Sequence, residues 1–416
     1  MSRGGAALAV LAALGVPLAA GPGVARAQPA HLAPGDTPGG AIEDDPPAIE
    51  LLTFGIGAVI FEKYGHAAIC LRYHRPEHPP VCFNYGVTNF TAGAVIAWNF
   101  LRQQQKFWVE PTSQREMYRF YQWEDRDIWR QTLPVTGSDA RAIEARLWSD
   151  VREENRYYLY DHFLDNCSTR LRDMIDTATH GALRAGADAP YPLTFRELGR
   201  RGLAGMPLLL VGSDLIAGRQ IDVHPTVWQA MFHPDIFRRE VAARLGAPPE
   251  LVHRRGGPAF PDPDASSSGR FELIALGLVF ALPLALAQWR RRFQTAALAW
   301  VALELAVLGA LVWGLAIVSS IPAVRLNEAA LVVMPLDAAL PFLTAGWRRR
   351  YARGRLGLLV LVLLLSAIGV LHQPLWALIA IVLLPMATIG FDLPHDRRPH
   401  DRLPRGLGRE ARPPPP

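Results

Sequence analysis

Hydrophobic positions are distributed unevenly along this chain. Short apolar runs bounded by glycine and proline occupy the N-terminal part, and long apolar stretches follow residue 270. The short runs predict β-strands at residues 49–54, 66–71, 81–86 and 126–133. A proline-rich turn at residues 73–80 would join the second and third strands as a hairpin.

Helical patterns alternate with these strands. Residues 98–108 are aromatic and are expected to be mostly helical, and Ser138 would cap a helix in which Ile143, Leu147 and Val151 recur every four residues. A tyrosine-rich, strand-like run at residues 157–160 then precedes another helix. Asp165 or Asn166 is its expected N-cap, and Leu171, Met174 and Ile175 form its apolar stripe.

The C-terminal part predicts a bundle of about five transmembrane helices. Apolar spans lie near residues 271–288, 295–320, 329–346, 356–371 and 375–391, and a membrane-crossing helix needs about 20 residues. The last two spans are short, and Pro335, Asp337 and Pro341 interrupt the third. Arginine clusters at 290–292, 348–355 and 397–412 would all be cytoplasmic if five spans cross.

Composition then sets the domain boundaries. Residues 1–27 read as a signal peptide ending in Ala25-Arg26-Ala27, and residues 28–48 as a disordered tether. A domain at 49–244 would be extracytoplasmic, followed by a linker at 245–270, the bundle at 271–391 and a basic cytoplasmic tail at 392–416. The formal charge of +5 comes largely from arginines that flank the spans, so it indicates inner-membrane topology and not nucleic-acid binding.

Two segments near the membrane leave alternatives open. Asp337, with Glu328 or Asn327, could line a polar cavity or be paired structurally inside the bundle. The apolar run 206–211 could be a lipid-facing lip or an ordinary core segment.

Cys167 is the candidate nucleophile. In the first turn of a helix, its thiol would meet the positive end of the helix dipole and unpaired backbone N–H groups, which stabilise a thiolate. The alternative is a small residue that only packs.

The predicted hairpin supplies a partner for this thiol. If the turn is centred near Pro76, Cys70 faces Cys82, and His66 lies diagonal to Asn84 on the same face. An amide beside a histidine can fix the imidazole tautomer, as a thiol nucleophile requires. Cys70 and Cys82 would then be either a disulfide or two reduced core residues.

Other histidines are weaker candidates. His162 could rival His66 as base, but a strand-to-helix turn separates it from Cys167. His74 and His78 have helical metal-ligand spacing, although the surrounding prolines oppose a helix and favour an exposed turn. No zinc-type spacing or phosphate loop is found, and no cofactor or metal is predicted.

One family resemblance follows from an ordered set of motifs. The set comprises Phe61-Glu62-Lys63-Tyr64-Gly65-His66-Ala67-Ala68, Asn84-Tyr85-Gly86, Tyr121 with Arg126, Gln131 and Leu133, Tyr158-x-Tyr160, and Asp165-Asn166-Cys167-Ser168-Thr169-Arg170. It resembles the extracytoplasmic domain of the Lnb family, which includes lipoprotein intramolecular transacylases, over about residues 50–240. The resemblance implies an α+β, papain-like fold related to NlpC/P60, permuted so that histidine precedes cysteine. It also implies that His66 and Cys167 form the catalytic dyad; Asn84 as third member comes from the hairpin register.

Three functions fit these features. The first is a Cys-dependent acyltransferase acting on membrane lipids or lipoproteins at the outer face of the bacterial inner membrane, with helix-start N–H groups holding the oxyanion. The second keeps the dyad in a cell-wall peptide amidase or peptidase of the NlpC/P60 type. The third is a non-enzymatic membrane sensor in which Cys167 is inert.

Overall fold

The computed structural model describes residues 44–58, 62–89, 94–262, 270–290 and 292–391. The predicted signal peptide, most of the predicted tether and the basic tail lie outside these residues, as do Phe61 and Arg291.

One antiparallel sheet dominates the N-terminal region. Among the described residues it has seven strands in the order β6-β4-β3-β2-β1-β5-β7. The strands are β1 (Ala48–Phe54), β2 (His66–Arg72), β3 (Val81–Val87), β4 (Lys106–Ser113), β5 (Ile128–Thr132), β6 (Tyr157–Leu159) and β7 (Glu250–His253). Six consecutive residues of β1 are buried, because both faces of this central strand are covered.

Helices cover the sheet and link it to the C-terminal part. The N-terminal helices are α1 (Ala94–Leu101), α2 (Gln114–Trp123), α3 (Gly137–Asp150), α4 (Cys167–Ala178), α5 (Phe195–Gly202), α6 (Pro207–Ile216), α7 (Val227–Ala230) and α8 (Pro234–Leu245). One core cluster joins Leu51 and Ile69 to Leu171 of α4. A second cluster, on alternate strand positions, joins Leu52 and Ala68 to Met117 of α2.

The hairpin register is the predicted one. Cys70 pairs with Cys82 across β2 and β3, and the two cysteines form a disulfide. Both lie in the cluster under α2 and are fully buried. Since the three cysteines of the chain include this pair, Cys167 is the free thiol.

Two strands were not predicted. The segment 98–108 was expected to be mostly helical, but α1 ends at Leu101 and β4 begins at Lys106. In β4 the alternating Phe107 and Val109 are buried, a period of two that suits a strand pairing with both β3 and β6. The segment 250–253, placed in a linker by composition, pairs with β5 as β7, where Glu250 accepts a hydrogen bond from Arg130 at 2.7 Å.

The C-terminal region is helical, but five spanning helices are not present. Its helices are α9 (Arg270–Arg290), α10 (Gln294–Val318), α11 (Pro322–Arg325), α12 (Ala345–Ala367) and α13 (Trp376–Gly390). Of the described helices, only α9 and α10 are long and apolar enough to cross a membrane. The first half of α12 carries five arginines, and α13 has 15 residues, so the predicted count of five is corrected to two clear candidates.

The third predicted span is not a long helix. It contains short 3-10 helices at Glu328–Leu331 and Pro335–Phe342, because Pro335 and Pro341 interrupt the α-helical hydrogen bonds. The segment packs along α10, where the Trp313 indole donates to the carbonyls of Ala330 and Val333 at 3.0 and 3.1 Å. A Cβ at Gly309 would lie 2.4 Å from the carbonyl carbon of Met334, so the close approach requires glycine.

The acidic residues of this region are paired. Asp337 is fully buried and accepts hydrogen bonds from Tyr351 at 2.7 Å and Arg355 at 3.1 Å. Glu328 accepts from the backbone N–H groups of His372 and Gln373 at 3.0 and 2.8 Å. These contacts indicate that Asp337 and Glu328 are paired inside the bundle and do not line an open polar cavity.

The segment 206–211 packs as an ordinary core segment and not as a lipid-facing lip. Val211 and Leu215 of α6 are buried in the bundle cluster with Leu273 of α9. Asn327 donates hydrogen bonds to the carbonyls of Leu215 and Ile216 at 2.7 and 3.1 Å, which fixes α6 against the bundle.

Three contacts relate the ends of the C-terminal helices to the N-terminal region and to one another. Arg102, which follows α1, donates to the carbonyl of Val318 at the end of α10. Gln373, just before α13, donates to the carbonyl of Asp214 in α6. Arg353 of α12 instead contacts the carbonyl of Gly390 at the far end of α13.

This arrangement predicts a topology. Fusions of alkaline phosphatase and of green fluorescent protein after Arg292, between α9 and α10, should report the cytoplasm. Fusions after Gln373 should report the outside, because Gln373 contacts α6 of the region that the sequence predicts to be extracytoplasmic. A cytoplasmic signal at Gln373 would contradict the topology.

Candidate active site

Cys167 is the first residue of α4, and a complete capping box fixes this helix start. The Asn166 side-chain oxygen accepts from the backbone N–H groups of Ser168 and Thr169 at 2.9 and 3.0 Å. The Thr169 hydroxyl oxygen in return accepts from the Asn166 N–H at 2.8 Å. Asn166, and not Asp165, is therefore the N-cap, and the half-buried Cys167 is held in the first helical turn.

Asp165 has a different part in the same loop. Its carboxylate accepts two hydrogen bonds from Arg170 at 2.6 and 2.9 Å. The Arg170 guanidinium lies 3.8 Å from the centre of the Tyr158 ring. This bidentate pair and cation–π contact connect the helix start to strand β6.

His66 begins β2 and faces Asn84 of β3. The His66 Nε2 and Asn84 Oδ1 atoms are 2.6 Å apart. Because an amide oxygen can only accept, it assigns the proton to Nε2 and leaves the lone pair on Nδ1. The preceding residue is Gly65, whose φ of +81° and close approach to the Phe54 carbonyl leave no room for a side chain.

The imidazole of His66 lies beside Cys167 and acts on the pKa of its thiol. Burial raises the pKa of the Cys167 thiol, but the His66 ring, the Ala67 backbone N–H and the Ser168 hydroxyl together bring the pKa below its ordinary value. The surroundings therefore favour a thiolate at a lower pH than a free cysteine would.

Gly86 lies where the side chains of the candidate site converge. A Cβ on Gly86 would lie 3.8 Å from His66 Cε1, 3.8 Å from the Tyr158 hydroxyl and 3.9 Å from Cys167 Cβ. The φ of +93° at Gly86 also strains any residue with a side chain. The backbone of Gly86 thus lies beside the side chains of Cys167, His66 and Tyr158.

Tyr158 is a site residue to which the sequence analysis assigned no role. Its hydroxyl is buried and has no hydrogen-bond partner among the described residues. Burial and the nearby Cys167 raise the pKa of Tyr158 well above its ordinary value, so the hydroxyl keeps its proton and can donate it. The neighbouring Tyr157 is 45% exposed, because alternate residues of a strand face opposite sides.

Several N–H groups at the start of α4 already have hydrogen-bond partners. The N–H groups of Ser168 and Thr169 are bound to the Asn166 side chain, and the Arg170 N–H donates to the Asn166 carbonyl at 3.2 Å. The capping box therefore occupies the donors that a helix start would otherwise offer. The Tyr158 hydroxyl, by contrast, has no partner among the described residues.

The other histidines lie apart from this chemistry. Burial lowers the pKa of His162 to about 4, so the ring is neutral at pH 7, and it packs edge-on against Tyr64 with ring centres 4.6 Å apart. His74 is exposed in the turn and bonds the Pro46 carbonyl at 3.0 Å, while His78 lies against the Tyr73 ring. Within the described ranges, no group of three His, Cys, Asp or Glu residues is arranged to hold a metal ion.

Comparison with known families identifies the N-terminal region. An antiparallel sheet with His66 and Asn84 on adjacent strands faces a helix-start cysteine, and residues 44–201, which carry all three, match the sequence family of the Lnb N-terminal periplasmic domain. This match confirms the resemblance to the Lnb family that the motifs indicate for this region. The match does not extend into the helical region. Neither the curated proteins nor the solved structures contain a match to the chain.

The contact between His66 and Cys167 predicts a pH-dependent thiol reactivity. The rate of alkylation of Cys167 by iodoacetamide should rise with pH around a midpoint below the ordinary cysteine value of about 8.5, because His66 stabilises the thiolate. His66→Ala should move the midpoint upward, and Asn84→Ala should move it in the same direction by less. His74→Ala, at an exposed turn, is the control. An unchanged midpoint in His66→Ala would contradict the assigned contact.

Proposed function

We propose that this protein is a membrane-anchored thiol acyltransferase that acts on lipids or lipoproteins at the outer face of the inner membrane. The observation that carries the proposal is the convergence of Cys167, His66 and Asn84 in a domain packed against apolar helices. The papain-like relationship implied by the family resemblance is part of the proposal. It is supported by the cysteine at a helix start packed against an antiparallel sheet.

The first half-reaction would form an acyl-enzyme. His66 Nδ1 takes the proton from Cys167 Sγ, and the thiolate attacks the carbonyl carbon of a lipid ester. The Tyr158 hydroxyl and the Cys167 N–H donate to the oxyanion of the tetrahedral intermediate. The C–O bond then breaks, the His66 imidazolium gives its proton to the departing alcohol oxygen, and the acyl group remains on sulfur as a thioester.

The second half-reaction would transfer the acyl group to an amine. The amine nitrogen attacks the thioester carbonyl while His66 accepts the proton from that nitrogen. The C–S bond breaks, an amide is formed, and the His66 imidazolium returns its proton to the Cys167 thiolate. Asn84 acts as a positioning residue throughout, because its oxygen holds the Nε2 proton in both half-reactions.

The way the two regions are joined favours a lipid substrate over a cell-wall peptide. Leu101 of α1 packs with Leu311 and Leu315 of α10, and Leu215 of α6 lies in the bundle cluster. A soluble-peptide amidase has no need for such contacts, since its substrate approaches from water. The same thiol chemistry would also cleave a peptide. Comparison of the lipid and muropeptide profiles of cells therefore distinguishes the two substrate classes.

Substitutions at the site should separate roles. Cys167→Ala and His66→Ala should each abolish turnover with export and folding retained, because two members of one nucleophilic unit fail together. Asn84→Ala should cost less than either. Activity near the wild-type level in Cys167→Ala would rule out the thiol mechanism.

Tyr158→Phe tests the oxyanion assignment. Loss of one donor should lower kcat by on the order of 10²-fold with KM little changed. Tyr157→Phe, on the exposed side of the same strand, is the matched control and should retain activity. If Tyr158→Phe has the wild-type kcat, the hydroxyl is not an oxyanion donor.

Cells producing the wild-type protein or the Cys167→Ala variant should differ in their lipids. We expect the wild-type cells to show a changed acylation of membrane lipids or lipoprotein N-termini by mass spectrometry, with muropeptide profiles equal in both strains. The reverse pattern, with altered muropeptides and unchanged lipids, would favour the amidase. No difference in either would favour a non-enzymatic sensor.

A further inference from the structure

Helix α1 presents an apolar surface to the outside of the protein. Its sequence, AVIAWNFL, has no charged residue. Val95 and Trp98 are 58% and 38% exposed. An extracytoplasmic helix bathed in water would carry polar side chains at such positions.

The end of α1 is fixed to a candidate membrane span. The Leu101 carbonyl accepts hydrogen bonds from the Ser320 N–H at 2.8 Å and the Ser319 hydroxyl at 3.1 Å, directly after α10. The Leu101 side chain packs with Leu311 and Leu315, which lie inside that apolar helix. Helix α1 therefore packs against the C-terminal end of α10.

Aromatic side chains connect α1 to the candidate active site. The Phe100 ring centre is 6.2 Å from that of Tyr160, which stacks on Phe107 at 4.4 Å. Tyr160 and Cys167 pack against the same core cluster. Proximity to the thiol also contributes to the raised pKa of Tyr160, after burial. A row of aromatic side chains thus runs from α1 toward the thiol.

We propose that α1 lies in the outer-leaflet interface of the bilayer and that the acyl chain of the substrate passes along Phe100 and Tyr160 to Cys167. The exposed face of α1 contacts lipid, because the end of α1 packs against α10, which is a candidate membrane span. The guiding role rests on the proposed acyltransferase function. The membrane contact stands independently of it.

The membrane contact is tested without catalysis. A nitroxide label is attached to Trp98→Cys in a Cys167→Ser background of the full chain, reconstituted in phosphatidylethanolamine–phosphatidylglycerol vesicles. Trp123→Cys is the matched control, because Trp123 is a 64% exposed tryptophan of the same domain on α2. Oxygen should relax the label at 98 more strongly than a water-soluble nickel chelate does, with the reverse at 123. Equal access of the nickel chelate at both positions would overturn the membrane contact.

The guiding role is tested by activity. Trp98→Asp should lower acyl transfer from vesicle lipid by roughly tenfold, because a carboxylate opposes insertion of this surface into a bilayer. Its rate with a short soluble ester should equal that of the wild type, and Trp123→Asp should change neither rate. Val95→Asp is the second variant should Trp98→Asp fail to fold.

Equal losses of Trp98→Asp on both substrates would overturn the guiding role. A lipid-accessible label in a protein that shows no Cys167-dependent acyl transfer would support the membrane contact and overturn the proposed function. The two failures are therefore distinguishable.

Discussion

The proximity of the His66 imidazole to the Cys167 thiol is the constraint on which the proposed chemistry depends. Cys167 is the first residue of helix α4 and His66 is the first residue of strand β2, and these two elements are distant in sequence. Burial alone would raise the pKa of the thiol, so the thiolate is favoured only while the imidazole and its polar neighbours are held close. Geometry, more than residue type, makes this cysteine different from a packed one.

Several contacts that do not touch a substrate maintain this geometry. The capping box of Asn166 and Thr169 fixes the helix start, and the Asp165–Arg170 pair connects it to β6 through the Tyr158 ring. Asn84 fixes the imidazole tautomer from the neighbouring strand. Most residues of the motif from Asp165 to Arg170 thus hold the start of α4 in place, and Cys167 is the residue proposed for nucleophilic attack.

The sequence indicated the local features more reliably than the long-range ones. Short apolar runs located β1, β2 and β3, and the proline-rich turn indicated the register that pairs Cys70 with Cys82. Strands β4 and β7 were missed because their pairing partners, and not their own composition, decide their structure. The third span looked apolar enough to cross a membrane, yet Pro335 and Pro341 make it irregular, and it is stabilised by packing on α10. Tyr158 required three-dimensional knowledge, since an unpartnered hydroxyl cannot be seen in a sequence.

The acyl-enzyme is the most direct test of the central claim. Full-length protein reconstituted with phospholipid and no amine acceptor should be quenched in acid and analysed by peptide mass spectrometry. The account predicts a fatty-acyl mass on the peptide that contains Cys167, removed by neutral hydroxylamine as expected of a thioester, and absent from the His66→Ala variant. Acyl transfer to an added amine that proceeds with no acyl group on Cys167 at any time would contradict it.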